Sequence, residues 1–71
     1  MAKKPPSDDN TFGVHIRELR EDQGLSIGEA ATGAGISAAD WAGIEADSVM
    51  PRLRLIRPMA KVLGVKPYEV L

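Results

Sequence analysis

The groups that could do chemistry in this chain are split by charge. Residues 51–71 hold Arg52, Arg54, Arg57, Lys61 and Lys66 against Glu69 alone, a net of +4. Residues 11–50 hold Arg17 and Arg20 against Glu18, Glu21, Asp22, Glu29, Asp40, Glu45 and Asp47, a net of −5. Guanidinium groups match phosphate oxygens in two-pronged contacts, so the chemistry on offer is anion recognition centred on the second block. Covalent and metal chemistry have no such basis. There is no cysteine and one histidine, which removes thiolate nucleophiles, disulfides and a Cys/His zinc cluster. No Ser-His-Asp set or pair of pocket carboxylates stands out, and Gly33-x-Gly35 lacks the length and preceding strand of a nucleotide fingerprint. The sequence predicts no enzyme, no cofactor and no small-molecule substrate.

Seventy-one residues make one domain. A chain of this size buries only roughly 60% of the surface its unfolded form exposes, so modest stability is expected. No apolar run approaches the ~20 residues a membrane span requires, and the amino terminus has no signal-peptide core, so the expected setting is cytoplasmic and without a membrane partner.

The elements that must position the charged groups are written in short punctuation. Two serines lie eleven residues apart in the signatures Ser26-x-x-Glu29 and Ser37-x-x-Asp40. Each can cap a helix by accepting from an orphan backbone N–H. Gly33-Ala34-Gly35 between them supplies the permissive backbone of a sharp interhelical turn. The layout is helix, tight turn, helix. Around it, Thr11 caps a first helix over about 12–23 with Phe12, Ile16, Leu19 and His15 on one side, and Gly24 ends it. The second helix spans about 27–34. The third spans about 38–46 and buries Trp41 and Ile44; His15 and Trp41 read as packing residues. A fourth helix over about 52–63 carries Leu53, Ile56, Ala60 and Leu63 as its core stripe, and Gly64 stops it. Pro58 either kinks this helix or moves its start to near Arg57. A short fifth helix starts at Pro67 and carries Tyr68 and Leu71. Met1 to Asn10, with Pro5-Pro6 and no large apolar residue after Met1, reads as a flexible arm.

These positions fall in register with a known group. Phe12-Gly13-x-x-Ile16-Arg17-x-Leu19-Arg20, Gly24-Leu25-Ser26-x-x-Glu29-x-Ala31, Gly35-Ile36-Ser37, Ile44-Glu45, Pro51 and Met59-Ala60-x-x-Leu63-Gly64-Val65 resemble the XRE family of helix-turn-helix domains, which includes the Cro and lambda-type phage repressors. The resemblance runs from about residue 12 to residue 71. It implies an all-α, five-helix lambda-repressor-like fold, with residues 1–10 as arm and 11–71 as a helix-turn-helix DNA-binding domain. It also implies a dimer on a pseudo-palindromic operator in double-stranded DNA, at the nucleoid of a bacterial or phage-infected cell. Asp47 stands where such domains usually have a helix-ending glycine.

Residue roles follow where the motif matches. The third helix should lie in the major groove, with Ser37, Ala38, Ala39, Asp40 and Gly43 facing bases. Ile27 at the start of the second helix, Arg52 and Arg54 after the loop, and Lys3 and Lys4 on the arm are expected at the DNA backbone. Arg20 and Glu45 occupy positions where these domains often form a partly buried ion pair. Leu55, Met59 and Val62 form a second apolar row on the fourth helix and, with Tyr68 and Leu71, a candidate homodimer face. Strong bidentate readers are Arg, Lys, Asn and Gln, and none occurs between Gly24 and Pro51. Alanine can touch a thymine methyl and a carboxylate can accept from cytosine N4. Gly43 costs the helix about 1 kcal/mol relative to alanine. The expected function is a DNA-binding transcriptional regulator acting as a dimeric repressor; the alternative is a non-enzymatic interaction module, such as an antitoxin or partner-binding regulator with weak DNA reading.

Overall fold

The computed structural model describes residues 11–71, and among the described residues it is all α. Lys3, Lys4 and the rest of the expected arm at residues 1–10 lie outside the described residues. The helices are α1 (Phe12–Asp22), α2 (Ile27–Ala34), α3 (Ala38–Glu45), α4 (Leu53–Leu63) and α5 (Pro67–Val70).

Local chemistry sets their limits. The Thr11 hydroxyl accepts from the Val14 amide at 3.2 Å and opens α1. Past its end, the Leu25 amide donates to the Arg20 carbonyl and the Gly24 amide to the Glu21 carbonyl, satisfying the last orphan acceptors. Ser26 opens α2 with a closed capping box. Its hydroxyl accepts from the Glu29 amide at 3.0 Å, and Glu29 Oε1 accepts from the Ser26 amide at 2.8 Å. The turn into α3 depends on Gly35, whose φ of 80° lies in the left-handed region where a side chain is penalised. The Ser37 hydroxyl then accepts from the Asp40 amide at 3.0 Å. No reciprocal bond returns from Asp40. The second Ser-x-x-acid signature is thus half a box, because aspartate is one methylene shorter than glutamate.

The core sits between α2, α3 and α4, closed by α1 and α5. Ile16, Trp41, Ile44, Met59, Leu63 and Val70 are its large, fully buried members. Ala30, Ala31 and Ala34 put the whole inner face of α2 in contact with the rest at methyl size, which lets α4 come close. A β-carbon on Gly33 would run into Val62. Gly13 does the same for α1, since a β-carbon there would strike the backbone carbonyls of Ile44 and Glu45.

Two expectations for α4 are corrected. Leu53 is not core; it is 85% exposed. The stripe that packs is Ile56, Met59, Ala60 and Leu63, at i, i+3, i+4 and i+7. α4 is three residues longer than α2, and its first turn, with Arg52, Leu53 and Arg54, is left uncovered. Met59, expected at a dimer face, is fully buried and unavailable to a second chain. Pro58 does not displace the start of α4, which runs from Leu53 through the proline to Leu63.

Candidate nucleic-acid interface

α3 is held at its carboxyl end and free at its amino end. Glu45, with 8% of its side chain exposed, accepts from Arg20 Nε at 2.5 Å, from an Arg20 terminal nitrogen at 3.1 Å and from Trp41 Nε1 at 2.6 Å. The other Arg20 terminal nitrogen donates to the Leu25 carbonyl at 2.8 Å, so one guanidinium ties α1, the turn before α2 and α3 together. The hydrogen bonds to Glu45 hold that guanidinium's pKa above its ordinary value, outweighing the opposing effect of burial.

Two residues beyond Glu45, Asp47 turns the chain out of α3. Its φ is 61°, and among the described residues it is the non-glycine with positive φ. Aspartate tolerates this region better than most side chains. The turn aims its carboxylate at the start of α1, where Oδ1 accepts from the Gly13 amide at 2.9 Å. Together with Thr11, it caps α1 from 34 residues away. Hydrogen bonds from the Thr11 hydroxyl and the Gly13 amide hold the Asp47 pKa below the usual carboxylate range. A helix-ending glycine would turn the chain without supplying this cap.

The outward face is built from the first turn of α3 and the segment entering α4. Ser37, Ala38, Ala39 and Asp40 are exposed, and so are Ala42 and Ala46. Gly43 does not face outward as its position predicts. The loop after α3 folds back over it, the Ser48 and Val49 amides donate to its carbonyl, and a β-carbon there would meet Val49 Cγ2 at 2.7 Å. Its value to the structure is the loop's close approach. Val49, Met50 and Leu53 are exposed beside it at 44, 74 and 85%. A cleft of about 300 Å³ brings Asp40 together with Arg52 and Arg54, which are both exposed. Ile27 is half-buried against the core, and the first turn of α2 exposes Gly28 and Glu29 to solvent.

Tyr68 and Leu71 are 69 and 74% exposed, and Val62 is half-buried against the core; Leu55, also half-buried and expected at the dimer face, instead lines the cleft of Asp40, Arg52 and Arg54. His15 Nε2 donates to the Glu69 carbonyl at 2.7 Å and fastens α1 to α5. Sequence spacing carries no signal for that bond or for the Asp47 cap. The Trp41–Glu45 bond is not among the sequence expectations, which have Trp41 as a packing residue only, although its i, i+4 spacing on one helix is a signal for it.

A family profile described as a helix-turn-helix domain matches residues 11–71. The chain belongs to this helix-turn-helix family. It is a family of transcriptional regulators rather than enzymes, and the resemblance to the XRE group holds. A similar curated protein is the HTH-type transcriptional repressor RghR of Bacillus subtilis (strain 168), 37% identical over 60 residues. Those residues are 83% of this chain and 44% of that repressor, so the helix-turn-helix domain spans less than half the length of its relative. Among solved structures, the restriction-modification controller protein C.AhdI from Aeromonas hydrophila matches with a TM-score of 0.80 and 32% identity, over 84% of this chain and 87% of that one. A hypothetical transcription factor NHTF from Neisseria matches with a TM-score of 0.79 and 27% identity, over 100% of this chain and 84% of the other.

Proposed function

We propose that this helix-turn-helix domain binds double-stranded DNA as a transcriptional repressor, working as a homodimer on a pseudo-palindromic operator at the nucleoid. The observation that carries the reading is the cleft joining Asp40 on the first turn of α3 to Arg52 and Arg54. With α3 in the major groove, these two guanidinium groups stand where the adjacent phosphates pass. The amides of Ile27 and Gly28 at the start of α2 add a second anion site at a helix amino end. Ser37, Ala38, Ala39 and Asp40 then face the bases, and Lys3 and Lys4 in residues 1–10 add contacts to the DNA backbone from outside the domain formed by 11–71.

The proposed dimer face is Tyr68 and Leu71 with the exposed edge of Val62. Tyr68→Glu combined with Leu71→Glu should yield a monomer by sedimentation without loss of helix content; an unchanged sedimentation coefficient would remove this face from consideration.

Titration of random duplex DNA over a salt series tests the main reading. Affinity should fall by orders of magnitude between about 50 and 200 mM salt, and Arg52→Ala and Arg54→Ala should each lower the log–log slope by about one per protomer. The exposed Val49, Met50 and Leu53 favour a second reading, a module that binds a protein partner. Absence of duplex binding at 50 mM salt would select it.

A further inference from the structure

The base-facing part of α3 accepts and touches but cannot donate from any long side chain. No Arg, Lys, Asn or Gln occurs between Gly24 and Pro51. What α3 exposes is the carboxylate of Asp40 among the methyl groups of Ala38, Ala39 and Ala42. The carboxylate is also uncommitted among the described residues. The Asp40 amide is taken by Ser37, but no reciprocal bond engages its side chain, whereas Glu29 at the matching position of α2 is spent on its own cap.

A group that only accepts must meet a donor. In the major groove that means the N4 amino group of cytosine or the N6 amino group of adenine; guanine N7 and O6 and thymine O4 repel it. Adenine places its N7 acceptor beside the amino group on the same edge, against the carboxylate. Cytosine places its C5 edge there, which is apolar and suits the flanking alanines. Those alanines gain most from a C5 methyl, carried by thymine or by 5-methylcytosine. Thymine, however, turns O4 toward Asp40. The base that satisfies both the carboxylate and the methyl groups is 5-methylcytosine. Arg52 and Arg54 line the same cleft as Asp40 and offset its repulsion of nearby phosphates.

We propose that α3 reads a pyrimidine strand, with cytosine facing Asp40 and C5 methyl groups facing Ala38, Ala39 and Ala42, and that methylating this cytosine at C5 tightens binding. This rests on the DNA-binding reading and names its target class.

The test begins by selecting from a random duplex pool with the full chain at about 50 mM salt. The enriched duplex is then titrated by fluorescence anisotropy with cytosine, 5-methylcytosine or thymine at the conserved pyrimidine. The selected half-site should hold a cytosine flanked by pyrimidines. Methylating it should lower Kd about fourfold, the value of one buried methyl-sized group, and thymine there should raise Kd about tenfold. Asp40→Asn should transfer preference to adenine. Ala39→Ser with Ala42→Ser should abolish the gain from methylation while leaving the fold intact, since both alanines are exposed. A selected half-site with no C·G pair, an Asp40→Asn variant whose base preference is unchanged, or a Kd indifferent to or weakened by methylation overturns the proposal and leaves DNA binding standing. No binding to any duplex overturns both.

Discussion

α2 and α3 have the same length, eight residues, the same serine cap and a similar stock of alanines, yet the fold uses them in opposite ways. In α2 the alanines face in, and Ala30, Ala31 and Ala34 are buried under α4. In α3 the alanines face out, and Ala38, Ala39 and Ala42 are exposed. α2 is fixed by close apolar contact along its whole length. α3 is fixed by Trp41 and Ile44 and by the polar ties that gather at its carboxyl end, Glu45 to Arg20 and Asp47 to Gly13. The difference teaches how a short helix is kept rigid while one end stays available: apolar packing consumes a face, whereas a few charge-assisted bonds at one end leave the other end uncovered.

The largest effect should come from cutting the polar tie. Arg20→Ala or Glu45→Ala leaves a nearly buried charge without its partner and should cost about 3 kcal/mol, a fall in Tm of at least ~12 °C for a domain this small. An unchanged Tm would mean that Trp41 and Ile44 alone hold α3. Next in size is a paired substitution of alanines. Ala31→Leu overfills the α2–α4 contact and should cost about 1–3 kcal/mol, while Ala39→Leu should change stability by no more than about 0.5 kcal/mol. Equal losses in urea denaturation would erase the inside–outside contrast.

The caps sharpen the comparison at a smaller scale. Ser26→Ala should cost about 1 kcal/mol because it opens a closed box, and Ser37→Ala less, because only one bond is lost. Asp40→Glu, long enough to reach the Ser37 amide, should raise Tm; no gain would mean that the half box is set by backbone geometry. The smallest effect concerns pH. The Asp47 pKa is lower folded than unfolded, so its contribution is present above the unfolded value of about 3.9 and disappears as pH falls through the folded one. Asp47→Asn should flatten the loss of stability below about pH 4. A variant with the same acid profile as the parent would remove Asp47 as its source.

Much of the scaffold was legible because it is written in near-neighbour chemistry. α2 occupies the residues that Ser26 and Gly35 predict, and α1, α3 and α4 each differ from expectation by a single residue at one end. Capping serines, stop glycines and Pro67 act within one turn of themselves, so spacing reveals them. The site was less legible. Ser37, Ala38, Ala39 and Asp40 do lie on an exposed face, but Gly43 is covered by a loop whose path no local pattern specifies. On α4, Leu53 and Met59 were misplaced because periodicity gives a helix's faces without saying where its neighbour ends.

By itself the sequence determined five helices, their caps and breaks, the lack of any long donor on α3, and the division of charge between residues 11–50 and 51–71. Only the tertiary structure decided which alanines are core, that Asp47 caps a helix 34 residues earlier, and that Arg52 and Arg54 share a cleft with Asp40. The physical reason is reach. A cap or stop acts over one turn of backbone, whereas burial is non-directional and proportional to area, so an alanine's small methyl does not announce which side the rest of the chain will cover.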